Sequence, residues 1–252
     1  MINIININWY GRQTVRKEWI STDCITNKLY YIHSGSCHYV ENGQKMELDK
    51  NCLYLIPAST SFQPYSDENN PLDHSFVDFN FIPPILSKGI YKLNPNVNEL
   101  MKAASQFFVQ LVGNKKNTTY YHNDFNKDVL EVLNPTIKII VKQFVSIYNL
   151  PLSEDKLAIC IIRDLIENVG NNITINDLAK KYYTSPDVII RTFKKSYNTT
   201  PYAYLKELRL KTAKHLIQSG EKLSNVAKAT NYSDTSSLAH ALKKDLKKNT
   251  NN

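Results

Sequence analysis

The stretch Tyr183–Lys195, "YTSPDVIIRTFKK", returns in altered form at Asn231–Lys244 as "NYSDTSSLAHALKK". Each copy has a short polar start with a serine, two apolar residues four apart (Ile189 and Phe193; Leu238 and Leu242) and a closing Lys-Lys pair. The likeness extends upstream. Ile175, Leu178 and Ala179 match Leu223, Val226 and Ala227 at an offset of 48, as does Ser185 with Ser233. After one inserted residue, Ile189, Arg191, Phe193 and Lys194-Lys195 match Leu238, His240, Leu242 and Lys243-Lys244 at an offset of 49. Each copy reads as a short helix with a central Ala, a turn, and a second helix capped by Ser. Two helices that cross steeply need a small side chain where they approach. This is the helix-turn-helix layout, whose second helix enters a major groove.

Between the copies lies "TPYAYLKELRLKTAKHLIQSG", Thr200–Gly220. Thr200 suits an N-cap, Pro201 the first turn and Gly220 the end. Leu205, Leu208, Ala213, Leu216 and Ile217 share one broad face. A helix of about 18 residues spans roughly 27 Å, and successive major-groove segments on one side of a duplex lie about 34 Å apart. One chain would therefore present two reading helices to neighbouring groove segments.

The charge agrees. Residues 171–252 carry 15 Lys and Arg against 6 Asp and Glu, while residues 1–170 carry 16 against 17, so the whole net charge of +8 arises in the last third. A basic segment of this kind implies an anionic partner such as double-stranded DNA, or simply a solvated face.

Upstream, the chain reads as β to about Leu93. "LYYIHSGSCHYVENGQKMELDKNCLYLIPAS" alternates β-branched and aromatic runs with turn residues, and Asn42-Gly43 is a hairpin signal. "CLYLIP" reads as a buried strand. "SFVDFNF" sets Val77, Phe79 and Phe81 on one face and Asp78 and Asn80 on the other. Many short antiparallel strands suggest a small barrel or jelly roll. Two helices are expected over Asn96–Gly113 and Pro135–Asn149, separated by a polar loop, "GNKKNTTYYHNDFNKD". They would pack on the barrel or form a homodimer seam. A third helix is expected from Ser153, as N-cap, to Gly170. The expected domains are 1–93 (a barrel), 94–152 (a helical segment) and 153–252 (an all-α domain with both helix-turn-helix units).

From about Ile173 to Lys244 the chain resembles the DNA-binding domain of AraC/XylS-type transcription regulators, through "ITINDLAKKYYTS", "IIRTFKK", "TPYAYLKELRLKTAKHLI" and "LSNVAKATNYSD". The second unit departs from the family pattern. Asn231 stands at a usual Gly, Leu238 and Leu242 stand at usual Phe, and the chain ends "DLKKNTNN" without the usual closing motif. "YYIHSGSCHYVENGQKMELDKNCLYLIPASTSF" is similar to the family's N-terminal cupin-like barrel. The resemblance implies a two-domain α+β protein: a cupin-like antiparallel β-barrel with following helices, then an all-α domain with two helix-turn-helix units joined by a long helix. It further implies a small-molecule effector, often a sugar, a homodimer, and RNA polymerase as a partner if the protein is an activator.

Within the first reading helix, Ile189 and Phe193 should face the core, which leaves Asp187, Ile190, Arg191 and Lys194 outward. Arg191 suits a guanine edge, Asp187 a cytosine amino group and Ile190 a thymine methyl. The plainer alternative pairs Asp187 with Arg191 on a solvated face. In the second helix, Thr235, Ser236 and His240 take the corresponding positions, so specificity should come mainly from the first. Lys180, Lys181, Lys194, Lys195, Lys228, Lys243 and Lys244 are phosphate candidates. In the barrel, Trp9, Tyr31, His33, Tyr39 and Phe62, with Tyr10 and Trp19 nearby, would line an effector pocket or fill the core.

Other classes find less support. No apolar run approaches the roughly 20 residues of a membrane span. The start "MINIININWYGRQ" lacks a signal-peptide pattern. Cys24, Cys37, Cys52 and Cys160 form no C-x-x-C pair, consistent with free thiols in a cytoplasmic protein. His33, His38 and His74 are scattered, and Phe62 stands where a cupin metal ligand could sit, so no metal, cofactor or catalytic residue is expected. A cupin-type metal enzyme, or a protein-interaction module with a basic tail, is the alternative.

Overall fold

The computed structural model describes residues 2–15, 26–41, 44–58, 60–121, 125–218 and 220–250. Trp19, Cys24 and the Asn42-Gly43 turn lie outside these. The chain divides into two units, 1–152 and 153–252.

The N-terminal unit is built on a six-stranded antiparallel sheet. Its strands are β1 (Asn3–Val15), β2 (Asn27–Ser34), β5 (Leu53–Ile56), β7 (Leu72–Ile82), β8 (Tyr91–Leu93) and β9 (Thr118–Tyr121), in the order β8-β5-β2-β7-β1-β9. A second sheet holds β3 (Cys37–Glu41), β4 (Gln44–Glu47) and β6 (Pro64–Ser66), in the order β4-β3-β6. Glu41 pairs with Gln44, the register that a two-residue turn gives. The described strands thus form two sheets, and no ladder among them closes one continuous barrel.

Strand alternation builds two cores, one on each face of the large sheet. Leu29, Leu53, Leu55, Val77, Phe79 and Phe81 meet α1 (Glu99–Val112) and α2 (Lys127–Ile147). Trp9, Tyr30, Ile32, Tyr54, Ile56 and Phe76 meet Cys37 and Tyr39 of the small sheet, and Phe62. All of β7 is buried, so the polar face expected of Asp78 and Asn80 is not solvated. Lys28 and Thr26 satisfy Asp78, and Asn80 donates to Asn6 at 3.1 Å. α1 and α2 bury one side on the sheet, while Leu100, Phe107 and Val132 face outward.

Three local expectations are corrected. Pro135 does not open α2 but lies inside it. The helix starts eight residues earlier, where the Asn126 side chain accepts from the Asp128 amide; Leu133 and Ile137 are buried on either side of the proline, and that packing outweighs the lost backbone bond. The polar loop contains β9, which pairs Thr119 with Gly11. A Cβ at Gly11 would lie 2.1 Å from the Thr118 carbonyl oxygen, so only glycine allows this approach. Finally, α3 (Lys156–Glu167) is capped by Asp155 rather than Ser153 and ends at Asn168, before Gly170.

The C-terminal unit is all helix: α3, α4 (Ile175–Lys181), α5 (Pro186–Tyr197), α6 (Pro201–Gln218), α7 (Leu223–Ala229) and α8 (Thr235–Thr250). Among the described residues no helix is long and apolar enough to cross a membrane.

Candidate nucleic-acid interface

Local signals place the first helix pair. Thr174 and Asp177 form a reciprocal capping box at α4, with the Asp177 amide donating to Thr174 at 3.1 Å and the Thr174 amide to Asp177 at 2.9 Å. Tyr183 then turns the chain in the left-handed region, at φ 50°. Ser185 caps α5, Pro186 occupies its first turn, and Asn198 ends it at φ 54°. Leu178, Ala179, Ile189 and Phe193 are buried where the helices meet. Phe193 continues into an aromatic cluster with Tyr197 at 4.5 Å and Tyr204 of α6 at 5.6 Å.

The second pair repeats this plan. Val226, Ala227 and Leu238 are buried with Ala213 of α6, and Leu216, Ile217, Tyr232 and Leu242 pack around them. Ala227 and Ala179, at matching positions of the two pairs, are equally buried, each 4% exposed. Asn231 takes the left-handed turn at φ 55°. The expected Ser233 cap is replaced by Asp234, whose carboxylate accepts from the Ser237 amide at 2.7 Å. The inserted residue therefore falls before the cap, and Asp234 is the counterpart of Ser185. An ion pair from Lys214 of α6 to Asp245 braces α8. Thus the N-terminal half of α6 seats the first unit, and its C-terminal half the second.

The outward faces hold the expected side chains. Asp187, Arg191, Lys194 and Lys195 are exposed on α5, and Ile190 is half-buried. Thr235, Ser236, His240, Lys243 and Lys244 are exposed on α8, and Lys180 and Lys228 on α4 and α7. Asp187 and Arg191 do not pair among the described ion pairs, so the guanidinium is not engaged by that neighbour. Lys181 differs from the other lysines. Its Nζ lies 2.7 Å from Asp164 Oδ1, while the Tyr182 hydroxyl donates to Oδ2 at 2.7 Å. Asp164 is only 3% exposed, so this acceptor ties the end of α4 to α3. Sequence reasoning passed over Asp164, although a carboxylate flanked by the buried Ile162, Leu165 and Ile166 is itself a signal of a buried partner.

The five residues expected to line an effector pocket do not share one lining. Trp9, Tyr39 and Phe62 lie in the core between the two sheets. Tyr31 and His33 alternate to the other face of β2, edge to face at 5.0 Å. His33 Nε2 lies 2.8 Å from Ser75 Oγ. Burial, with Arg12 and Lys116 nearby, pushes His33 down to about 4. Next to it, Arg12 holds the buried Asp73 through two hydrogen bonds of 2.9 and 2.8 Å, and Lys116 lies 3.3 Å away. Burial works to raise Asp73, but these two cations overcome it and hold the carboxyl below its usual range. Cys37, Cys52 and Cys160 are free thiols.

Comparison with known proteins agrees with this layout. Residues 178–248 match the family described as helix-turn-helix domain. An uncharacterised helix-turn-helix-type transcriptional regulator of Bacillus subtilis, YbfI, is 32% identical over 74 residues, which span 29% of this chain and 27% of that protein. Apo ToxT from Vibrio cholerae superposes with a TM-score of 0.62 at 13% identity, covering 95% of this chain and 94% of that one. ToxT with an unsaturated fatty acid bound gives 0.58 at 12% identity, over 95% and 90% of the two chains. At such identity the likeness establishes a shared two-domain fold.

Proposed function

We propose, from the premise that the C-terminal domain belongs to the AraC-type helix-turn-helix family, that the chain is a sequence-specific DNA-binding transcription regulator. The observation that carries this is the seating of two helix-turn-helix units on one helix, α6, each with a polar and basic outward face. Arg191 reads a base edge by bidentate donation, with Asp187 and Ile190 flanking it. Thr235, Ser236 and His240 make weaker contacts in a second groove segment. Lys180, Lys194, Lys195, Lys228, Lys243 and Lys244 neutralise phosphates and make binding salt-dependent. Lys181 is committed to Asp164 and contributes less.

The N-terminal unit is the effector-responding part in this reading. The fatty acid held by the similar ToxT structure and the sugar implied by the family resemblance are the two ligand classes to compare. A thermal shift of the whole chain with each class separates them. DNA binding is tested by selecting duplexes from a random pool with the full chain and measuring fluorescence anisotropy. A selected duplex bound at least a thousandfold more tightly than random sequence supports the reading; equal binding to both contradicts it.

A further inference from the structure

The segment joining α3 to α4 is gripped by the linker helix α6 and by the second helix-turn-helix unit. Arg209, near the middle of α6, donates from Nε to the Val169 carbonyl at 2.9 Å and from Nη2 to the Asn171 carbonyl at 2.6 Å. The Asn171 carbonyl also accepts from Nδ2 of Asn231, in the turn of the second unit, at 3.2 Å. Between them, a Cβ at Gly170 would lie 2.8 Å from the Ala229 carbonyl oxygen, at the end of α7. Three residues that lead directly into α4 are therefore fixed to the linker helix and to the turn that precedes α8.

We propose that Asn231 and Arg209 are positioning residues that set the distance and angle between the two reading helices, through their shared acceptor on Asn171. This rests on the proposed two-segment reading of DNA. The choice of residue at 231 follows from the two demands on it. The turn requires a left-handed φ, which glycine meets at least strain. Asn tolerates that conformation and also carries an amide that reaches Asn171. Glycine would supply the turn without the tie. A chain that reads two groove segments with fixed spacing gains from the tie, because each added base pair turns the second segment by about 34° around a helix of about 10.5 base pairs per turn. Arg209 cannot be replaced by lysine in this role, since its planar fork addresses two carbonyls at once.

The test uses the full chain with Asn231→Gly and a selected duplex whose two contacted segments are separated by one extra or one fewer base pair. The wild-type chain should lose about tenfold in affinity for either altered spacing. Asn231→Gly should lose about twofold or less, while its Tm is unchanged or higher. Arg209→Lys should relax spacing in the same direction. A spacing penalty in Asn231→Gly equal to that of the wild type overturns the inference while leaving DNA reading intact. A wild-type chain that binds but is indifferent to spacing overturns it as well. A wild-type chain that selects no duplex overturns the proposed function itself.

Discussion

Tyr183 and Asn231, 48 residues apart, hold the same left-handed turn at φ 50° and 55°. Asn is one of the few residues that visits this region at small cost. A tyrosine there carries a penalty of about 1–2 kcal/mol. Its ring recovers none of this by packing, since Tyr183 is 98% exposed. Tyr183→Gly should therefore raise the unfolding free energy by about 0.5–1 kcal/mol, once the greater freedom of the unfolded glycine is counted. Urea denaturation of the two proteins checks this; a loss of stability would mean the ring is packed in solution.

Arg191→Ala should weaken binding to a selected duplex by about 1–3 kcal/mol and relax preference at one base position. Binding to random duplex should change little. Anisotropy titrations on both duplexes decide it, and an equal loss on the two would place Arg191 on the phosphate backbone.

Two neighbouring lysines should behave differently. Lys180 is exposed, with no ion pair among the described residues, so Lys180→Ala should lower the dependence of log K on log salt by about one. Lys181 is held by Asp164, so Lys181→Ala should leave the salt slope nearly unchanged. Asp164→Ala should cost about 1–3 kcal/mol of stability, because it removes the shared acceptor of Lys181 and Tyr182. Salt titrations of binding, with urea curves for each variant, separate these outcomes.

The N-terminal unit should weaken in mild acid. His33 and His74 are both pushed down to about 4, in each case chiefly by burial. An unfolded histidine titrates near 6.5. Between those values the unfolded chain binds more protons than the folded one, so stability is full above about pH 6.5 and falls as pH drops toward 4. The fully buried His74 contributes up to about 1.4 kcal/mol per pH unit within that window, and the half-buried, solvent-screened His33 contributes less. Unfolding free energies at pH 7 and 5 should differ accordingly, and His74→Gln should shrink the difference; an unchanged difference would mean that other groups carry it.

Sequence and structure part company in instructive places. The repeat was legible because Ala179 and Ala227, and Ile189 and Leu238, keep their spacing while the surface residues differ. The β-strands were legible from alternation, which also separates Tyr31 and His33 from Tyr30 and Ile32 on β2. Grouping Tyr31 and His33 with Trp9, Tyr39 and Phe62 by aromatic chemistry alone ignored that period. The clasp on Asn171 was not legible. Its acceptors are backbone carbonyls, which any residue supplies, and its donors lie 38 and 60 positions away. The start of α2 was hidden by Pro135, a residue that marks helix starts far more often than helix interiors.

The most direct measurement is a hydroxyl-radical footprint of the full chain on a selected duplex. Two helix-turn-helix units held along α6 should protect two segments about 10 base pairs apart, on one face of the helix. A single protected segment, or two on opposite faces, would contradict the central claim.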